Sequence, residues 1–415
     1  MTRRYFDNAA TSFPKPPVML DAMVQYQTEL GASPGRGAYR EAVESGRLLT
    51  RCRERLNTLI GGADPDHIIF TLNTSDALNL AIRGLLGPMI RRGESVHVVT
   101  SWMDHNSILR PLHALESVGV RTTYVPCDPV TGQLNPADVR AAITDHTRLV
   151  ATIHGSNVTG TLQPVADLGA ICRAAGVPFL VDAAQTVGHL PVDVDAMQID
   201  LLAFPGHKGL LGPSGTGGLA IRPEVAERME PVREGGTGSA SEEPVQPKQL
   251  PDRFEPGSHN ALGLIGLSAS VQWILDRGVD TLWAHEQSLI ERMLDGLDGL
   301  PGLRVLGPPR GTPRCGVFAV VHDTYDPHAL AGILEQSFGI LCRAGIHCAP
   351  LAHQTLGTTP TGGATRLSLG PFLTNDDVDA CLDAFRNISS APSTPSTTAT
   401  PATPKSTPSA ESISS

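Results

Sequence analysis

Short apolar runs alternate with helical patterns between residues 65 and 222, and this alternation constrains the fold more than any other feature. The runs predict strands at 67–71, 96–100, 121–126, 149–153, 178–181, 199–203 and 217–221, and helical patterns lie between them at 74–86, 107–118 and 164–175. Strands that are apolar on both faces and alternate with helices are typical of a mostly parallel sheet with helices packed on it. The sequence therefore predicts an α/β fold.

The rest of the chain predicts a smaller α+β unit. A helical stretch covers about 261–299, strand patterns follow near 315–321 and 366–369, and helical patterns lie near 327–337 and 375–387. We predict a large domain over 15–260 and a smaller C-terminal domain made of 1–14 with 261–388. Residues 234–257 are rich in Gly, Pro and Glu and indicate an excursion or lid. Residues 389–415 are almost entirely Ser, Thr, Pro and Ala, a composition that cannot form a core and predicts a disordered tail.

Composition narrows the environment and the partners. The formal charge is −10 and the arginines are scattered, so we expect no nucleic-acid partner. The N-terminal charges are not followed by an apolar run, and no stretch approaches the roughly 18 apolar residues of a membrane span, so we expect neither a secretory signal nor a membrane partner. Seven cysteines without framework spacing favour reduced thiols and a cytoplasmic location.

Lysine is scarce in this chain, which makes each lysine informative. Only four of the 32 basic residues are lysines, namely Lys15, Lys208, Lys248 and Lys405. Lys208 lies in an apolar, Gly-rich stretch, Phe204-Pro-Gly-His-Lys-Gly-Leu-Leu. Arginine holds its proton too firmly to form an imine, whereas a desolvated lysine can lose it. We therefore favour a covalent cofactor-binding lysine over a lysine on a surface turn.

Two further segments follow predicted strands. Thr74 and Ser75 open a helix, where hydroxyls and free N–H groups suit a phosphate, although a simple N-cap is the commoner reason for such residues at this position. Asp182 should emerge at the carboxyl end of a strand, where its carboxylate could keep a pyridine nitrogen protonated; a helix-capping aspartate is the alternative. Gln185 lies three residues further on and could reach a ring hydroxyl.

Cys348 lies among Gly, Pro and other small residues, which predicts a loop. Arg343 and His347 are near enough in sequence to favour its thiolate form. A zinc site through His347, Cys348 and His353 lacks paired ligand spacing, so we predict no metal site. The run Gly215-Thr-Gly-Gly-Leu-Ala matches a dinucleotide-binding pattern, but its glycines do not end a strand and open a helix, so a turn that enters a strand is favoured.

Together these residues resemble the cysteine desulfurase and selenocysteine lyase family within the class V aminotransferases. The resemblance runs from Tyr5 to about residue 388 and consists of six motifs in order: Asn-Ala-Ala-Thr, Asp-His, His-x-Ser-Asn-x-x-Gly, Val-Asp-x-Ala-Gln, Gly-His-Lys and Arg-x-Gly-x-x-Cys. It implies a fold-type I architecture and the cofactor pyridoxal 5′-phosphate (PLP).

The resemblance also implies roles for individual residues. Lys208 corresponds to the lysine that binds PLP covalently, Asp182 to the partner of the pyridine nitrogen and Gln185 to the partner of the ring oxygen. The remaining correspondences are His105 stacked on the ring, Asn157 at cofactor and substrate, Thr74, Ser75 and His207 at the phosphate, Ser258 at the phosphate of a neighbouring subunit, Arg366 on the substrate carboxylate, Arg36 in the same pocket and Cys348 as the sulfur-accepting nucleophile. The match at Ser258 implies a homodimer.

The implied activity is that of a PLP-dependent cysteine desulfurase, which converts L-cysteine to L-alanine, leaves a persulfide on Cys348 and passes the sulfur to an acceptor protein. Selenocysteine lyase, cysteine sulfinate lyase, aminotransferase and epimerase reactions stay open, as does a non-catalytic PLP-fold binding protein. Two departures from the family bear on this choice. Pro205 stands where Ser or Thr is usual, so one phosphate hydroxyl is missing, and residues 349–365 differ from the commoner sequence after the cysteine.

Overall fold

The computed structural model of the chain describes residues 2–35 and 37–390, which contain two main sheets. The strands are β1 (Arg4–Tyr5), β2 (Ile68–Thr71), β3 (His97–Ser101), β4 (Arg121–Val125), β5 (Thr147–Ile153), β6 (Phe179–Asp182), β7 (Leu201–Pro205), β8 (Gly217–Ile221), β9 (Leu303–Leu306), β10 (Val317–His322), β11 (Ile340–Leu341), β12 (Arg343–Gly345) and β13 (Ala364–Ser368).

The helices cover these sheets and connect their strands. They are α1 (Pro17–Gln25), α2 (Arg40–Leu59), α3 (Thr74–Arg91), α4 (Asn106–Glu116), α5 (Pro136–Ala142), α6 (Val165–Ala175), α7 (Pro223–Ala226), α8 (Ala261–Arg277), α9 (Val279–Leu297), α10 (Pro327–Phe338), α11 (Pro350–Thr355) and α12 (Asn375–Ser390). A π-helical turn at Tyr26–Leu30 follows α1, and single 3₁₀ turns occur at Pro65–His67, Asp252–Phe254 and Thr359–Thr361.

The larger sheet has seven strands in the order β2-β8-β7-β6-β5-β3-β4. Strands β3 to β7 pair in parallel, whereas β8 runs antiparallel to both of its neighbours. The chain order reverses between β3 and β5, and in open α/β sheets ligands bind at the carboxyl ends of the strands beside such a reversal. This position is where the candidate site lies.

Successive residues of a strand point to opposite faces of this sheet, and each face has its own core. Val98 packs with apolar residues of α3 and α4, whereas the next residue, Val99, packs with residues of α2, α6 and α8. A strand that is buried on both faces must be apolar at every position, which explains the continuous apolar runs in the sequence.

The smaller sheet is antiparallel, with the order β12-β13-β10-β9; α9 and α10 pack against it, and α12 packs against these two helices. Its core contains Phe6, Phe318, Leu367 and Phe385. Strand β1 pairs in parallel with β11, so the N-terminal segment joins the chain's last third. Because Arg366 lies on β13 and Cys348 lies between β12 and α11, this sheet carries two of the predicted site residues.

The predicted fold class is confirmed: the chain has an α/β fold with a mostly parallel central sheet and a smaller antiparallel sheet. One detail of the predicted tail is wrong, because α12 continues through Ser389 and Ser390. The remainder of that tail, 391–415, and Arg36 lie outside the described residues. The domain limits stay a prediction. Helix α8, which the prediction puts in the smaller domain, packs against α1 and α2 of the predicted large domain. Within the described ranges, no helix is both long and apolar enough to cross a membrane.

Candidate active site

A cavity of about 400 Å³ opens at the carboxyl ends of β3, β5, β6 and β7. It brings together eight of the predicted site residues, namely Thr74, Ser75, His105, Asn157, Asp182, Gln185, His207 and Lys208. Its wall also includes Asn73, Ser107, Ile153, Gly155 and Ala184. Residues that are more than 130 positions apart in the chain therefore line one concave surface, as the resemblance requires.

Asp182 and Lys208 face this cavity from the ends of two adjacent strands. Asp182 ends β6 and is 4% exposed, and its Oδ1 accepts a hydrogen bond from Ala184 N at 2.9 Å. Burial raises the pKa of Asp182 to about 6. Burial lowers the pKa of Lys208 to about 8, although the charge of Asp182 opposes this shift. No helix follows β6 directly, so the helix-capping alternative for Asp182 is wrong.

Thr74 and Ser75 occupy the first turn of α3. The N-cap is Asn73, whose side chain accepts from Asp76 N at 3.0 Å, so the capping alternative is wrong for Thr74 and Ser75. Their hydroxyls and the free N–H groups of the helix face the cavity, where the helix dipole favours an anion. Pro205 ends β7 and has no hydroxyl to contribute.

His105 precedes α4 and is linked to the start of α3 by two serines. Its Nδ1 accepts from Ser107 N at 3.1 Å, and Ser107 Oγ lies 2.9 Å from that nitrogen and 2.7 Å from Ser75 Oγ. An Nδ1 that accepts from a backbone N–H must be unprotonated, so the ring proton is on Nε2. Burial, with Lys208 as the next cause, lowers the pKa of His105 to about 3. Ser107 was not among the predicted site residues, and its position as the second residue of α4 was the available signal.

Asp104 is a second residue that sequence analysis missed. Its carboxylate is fully buried between β3 and β5, where it accepts from Ile153 N at 2.6 Å, Ser101 N at 2.6 Å and Thr100 Oγ1 at 2.7 Å. Burial raises the pKa of Asp104 to about 6. The carboxylate therefore links β3 to β5 at the point where the strand order reverses, and so positions the neighbouring His105.

Asn157 connects several parts of the site. Its Nδ2 donates to His347 O at 2.7 Å, and its backbone oxygen accepts from Arg366 Nη1 at 3.1 Å. Its Oδ1 is buried and has no hydrogen-bond partner within residues 2–35 and 37–390, and His207 Nδ1 shares that condition. Buried polar atoms in native proteins are normally paired, so both atoms have unused bonding capacity beside the cavity.

Arg366 is held in place by a carboxylate that sequence analysis did not assign. Its side chain is 1% exposed, and its Nη2 donates to Asp7 Oδ1 at 2.6 Å across 359 positions of sequence. Burial lowers the pKa of Arg366, while Asp7 raises it. The guanidinium is therefore a desolvated cation with one carboxylate already bound. Asp7 directly precedes the Asn8-Ala-Ala-Thr motif, and that position was the available signal.

Cys348 is exposed and lies in the turn between β12 and α11. Both His347 and Cys348 have positive φ angles, 52° and 58°, which residues other than glycine rarely adopt. The Cys348 oxygen accepts from Asn106 N at 2.8 Å, so the turn is attached to the residue after His105. Arg343 Nη2 lies 3.9 Å from Cys348 Sγ.

The predicted help of His347 to the thiolate is wrong. Burial, with Arg366 as the next cause, lowers the pKa of His347 to about 2, and its Nε2 is bonded to Ala364 O at 3.0 Å. The ring is therefore neutral and adds no positive charge at Cys348. His353 is one of the three ligands in the zinc alternative, but its Nδ1 lies 2.7 Å from Thr358 Oγ1. Among the described residues, no group of three or more His, Cys, Asp or Glu side chains could hold a metal ion.

Ser258 does not reach this cavity. It is exposed and lines a separate pocket with Phe70, Glu255 and His259. Gln185, by contrast, is buried in the main cavity, where its Nε2 donates to Ala9 O at 3.1 Å. The segment Gly215-Thr-Gly-Gly enters β8 rather than a helix, so the prediction that it leads into a strand is confirmed.

Comparison with known proteins identifies the family. The sequence profile of the aminotransferase class-V family matches residues 4–381, which is most of the chain. The chain belongs to the aminotransferase class-V family. Since that family and the relatives below are PLP-dependent, the chain is a PLP-dependent enzyme.

Several relatives within this family have been named cysteine desulfurases. A probable cysteine desulfurase of Methanothermobacter thermautotrophicus is 35% identical over 93% of this chain and 94% of the relative. A cysteine desulfurase of Haloferax volcanii is 32% identical over 92% of this chain and 88% of the relative. The apo structure of a cysteine desulfurase from Thermococcus onnurineus matches with a TM-score of 0.86 and 32% identity, over 92% of this chain and 94% of that chain.

The residues around the cavity fit the family's cofactor. A buried carboxylate suits a protonated pyridine nitrogen, the start of α3 suits a phosphate, and Asn157 Oδ1 and His207 Nδ1 offer unused hydrogen-bonding atoms. A lysine that shares the cavity with that carboxylate suits covalent attachment of an aldehyde.

Proposed function

We propose that the chain is a cysteine desulfurase that takes sulfur from L-cysteine onto Cys348 and releases L-alanine. The observation that carries this proposal is the attachment of the Cys348 turn to the cavity that contains Lys208. Asn157 Nδ2 donates to His347 O, and Asn106 N donates to Cys348 O, so an exposed thiol is fixed beside a site that fits PLP. The alternative reactions need Lys208 but do not require a cysteine at this position.

PLP would be held at one end by its phosphate and at the other by its ring. We assign the phosphate to Thr74, Ser75 and His207, the pyridine nitrogen to Asp182 and the ring oxygen to Gln185. His105, neutral and fixed by Ser107, is assigned to the face of the ring. When bound, PLP supplies an electron sink that stabilises negative charge at the substrate Cα.

Arg366 and Lys208 are assigned to the substrate. The buried Arg366 guanidinium can bind the substrate carboxylate through charge-assisted hydrogen bonds while Asp7 retains one side of it. We infer that the Lys208 amine removes the proton from Cα. A pKa near 8 suits this task, because a general base works best when its pKa lies near the working pH.

Cys348 is assigned to sulfur transfer. Its thiolate attacks the substrate sulfur, the new S–S bond forms as the substrate Cβ–S bond breaks, and the electron pair of the broken bond remains on Cβ. Cβ gains a proton and Cα regains the proton that Lys208 removed, so L-cysteine plus the Cys348 thiol gives L-alanine plus a Cys348 persulfide. The Arg343 guanidinium, 3.9 Å from Sγ, stabilises the anionic sulfur of the thiolate and of the persulfide.

We also propose a homodimer, a reducing compartment and a sulfur-acceptor protein. Ser258 is exposed and separate from the cavity of its own chain, which supports a role at the phosphate site of a second copy. All seven cysteines are free thiols, which supports a cytoplasmic location. The exposure of Cys348 supports transfer of its persulfide sulfur to an acceptor that approaches from solvent.

A substrate comparison tests the proposed reaction. L-cysteine, L-selenocysteine and L-cysteine sulfinate are each supplied to the wild type, to Cys348→Ser and to Cys342→Ser, and alanine is measured. We expect Cys348→Ser to lose turnover of L-cysteine by roughly 100-fold, since a hydroxyl is a poor nucleophile toward sulfur, while the half-buried Cys342 control retains it. Selenocysteine or sulfinate turnover without L-cysteine turnover in the wild type would instead identify a lyase.

A further inference from the structure

Lys15 is the second of the scarce lysines to lie beside the candidate site. Its Nζ donates to His207 O at 2.8 Å and to Ser12 Oγ at 2.7 Å. His207 immediately precedes Lys208, so an ammonium group contacts the main chain of the residue pair that faces the cavity. The roles assigned above leave Lys15 without a function.

The carbonyl of His207 is the meeting point of an N-terminal clasp, which we define as residues 11–15. Four donors of the clasp point at this oxygen, namely Ser12 N at 3.0 Å, Thr11 Oγ1 at 3.1 Å, Ser12 Oγ at 3.1 Å and Lys15 Nζ at 2.8 Å. A carbonyl oxygen has two lone pairs, so at least one of the hydroxyls is free to donate elsewhere.

Ser12 has an alternative acceptor in the next residue. Its Oγ lies 2.9 Å from Lys208 O, which also accepts from Leu211 N at 2.8 Å. Because Lys15 Nζ donates to Ser12 Oγ, the single proton of that hydroxyl is available for Lys208 O. The ammonium group thereby connects to both carbonyls of the pair, directly at His207 and through Ser12 at Lys208.

A lysine suits this position better than the arginine that the chain uses elsewhere. An ammonium group is a compact donor with three N–H bonds that can point to two separate acceptors, whereas a guanidinium is a flat fork. Partial burial lowers the pKa of Lys15 to about 8. Lys15 also helps burial and Lys208 to lower the pKa of His207, to about 4, so that the imidazole stays neutral.

The same stretch of chain continues into the rest of the site. Ala9 O accepts from Gln185 Nε2 at 3.1 Å, and Asp7 holds Arg366 at 2.6 Å. The nine residues from Asp7 to Lys15 therefore contact the segment that carries Lys208, the residue assigned to the ring oxygen and the residue assigned to the substrate carboxylate. These contacts hold the three groups at fixed positions relative to one another.

We propose that Lys15 is a positioning residue that fixes the main chain of His207 and Lys208 and so presents the Lys208 amine to the cofactor and substrate. Its effect on turnover rests on the proposed desulfurase activity, whereas its effect on cofactor retention does not. Lys15 acts through hydrogen bonds to the backbone and contacts neither ligand itself.

The test compares Lys15→Met with Lys248→Met in the full-length holoenzyme. Methionine keeps the apolar stem of Lys15 and removes its ammonium, and Lys248 is an exposed lysine that does not line the cavity. The first measurement is the rate of PLP loss after dilution without substrate, followed by visible absorbance. We expect Lys15→Met to lose PLP about tenfold faster than the wild type, the scale of one charged hydrogen bond, and Lys248→Met to match the wild type.

The second measurement is steady-state turnover of L-cysteine. A mispositioned base lowers kcat by about tenfold and leaves KM within about twofold, because Arg366 still binds the carboxylate. The proposal is overturned if Lys15→Met loses PLP at the same rate as Lys248→Met. If Lys15→Met does not fold, Ser12→Ala decides: faster PLP loss supports the proposal and wild-type retention overturns it.

The two proposals fail in different ways. A wild type that binds PLP but releases no alanine from L-cysteine refutes the desulfurase activity, and the PLP-loss comparison still decides the role of Lys15. If the wild type releases alanine from L-cysteine but Lys15→Met loses PLP at the wild-type rate, only the proposed role of Lys15 is refuted.

Discussion

The wall of the cavity around Lys208 and the turn around Cys348 hold two reactive side chains in opposite ways. Lys208 follows a buried strand, its pKa is lowered by burial, and its backbone oxygen accepts from Ser12 Oγ and Leu211 N. Cys348 is exposed, with a positive φ angle, and its turn is attached to the cavity through the carbonyls of His347 and Cys348. Both segments are held through backbone carbonyls, but the Lys208 side chain is buried and desolvated, whereas the Cys348 side chain is exposed to solvent.

The difference follows from what each group must meet. An amine that removes a proton from Cα needs a lowered pKa and a fixed geometry, both of which burial provides. A thiol that accepts sulfur inside the cavity and gives it to another molecule outside must remain accessible to solvent. Two consecutive left-handed residues cost about 1–3 kcal/mol each, so the hydrogen bonds from Asn106 and Asn157 offset a strain that would otherwise release the turn.

Removal of the buried amine should have the largest effect. Lys208→Ala should abolish covalent PLP attachment and lower turnover of L-cysteine by at least about 10²- to 10⁴-fold, the usual contribution of a proton-transfer group. Borohydride reduction followed by peptide mapping measures the attachment, and Lys248→Ala is the matched control. Label on Lys15 or Lys248 in the reduced wild-type protein would show that the buried wall has been assigned wrongly.

The substitution Asp182→Asn tests how much a buried charged carboxylate in that wall lowers the free energy of unfolding. Its pKa rises from 3.8 to about 6, so the folded apoprotein binds this proton more tightly than the unfolded chain and loses stability as pH rises from about 4 to 6. Above pH 6 the full penalty applies, and Asp182→Asn should stabilise the apoprotein there by about 2–3 kcal/mol. Urea unfolding at pH 7.5 and pH 4.5 should show a gain that shrinks at the lower pH.

The same substitution should weaken PLP binding, because an amide cannot hold the pyridine nitrogen protonated. A gain in apoprotein stability with a loss of cofactor affinity marks a residue whose burial serves the site rather than the fold. Equal stability of wild type and Asp182→Asn at both pH values would refute the electrostatic account of this carboxylate.

The exposed turn should respond more weakly to loss of charge. Arg343→Ala removes a cation 3.9 Å from Cys348 Sγ, and at that distance two charges in water interact by roughly 1 kcal/mol. We therefore expect alkylation of Cys348 by iodoacetamide at neutral pH to slow by up to about fivefold, and 1 M salt to reduce the difference. Arg343→Lys is the control that keeps the charge. A wild-type alkylation rate in Arg343→Ala would show that the guanidinium does not affect the reactivity of the Cys348 thiol.

The sequence predicted the wall better than the turn, and the reason is physical. Asp182 and Lys208 follow apolar strands, and strand ends in a parallel sheet meet at one edge, so local pattern determines their placement. The reversed direction of β8 is not visible in its apolar run, because parallel and antiparallel buried strands have similar composition. Arg366 and Asp7 are 359 positions apart, and no local signal pairs them.

The turn shows a second limit of sequence reasoning. His347 is adjacent to Cys348 in the chain, which suggested a cationic neighbour. Its ring is instead buried and bonded to Ala364 O, so adjacency in sequence did not predict its charge. Asp104 belongs to the Asp-His motif, but its sequence neighbours did not predict its role, because its three donors come from two strands that only the fold brings together.

The most direct test of the account is a single-turnover reaction of the PLP-bound protein with one equivalent of L-cysteine, followed by mass spectrometry of the Cys348 peptide and assay of alanine. We expect the Cys348 peptide to gain the mass of one sulfur atom in the same amount as alanine appears, and Cys348→Ser to give neither product at the wild-type rate. Alanine released at the wild-type rate without sulfur on Cys348 would contradict this account.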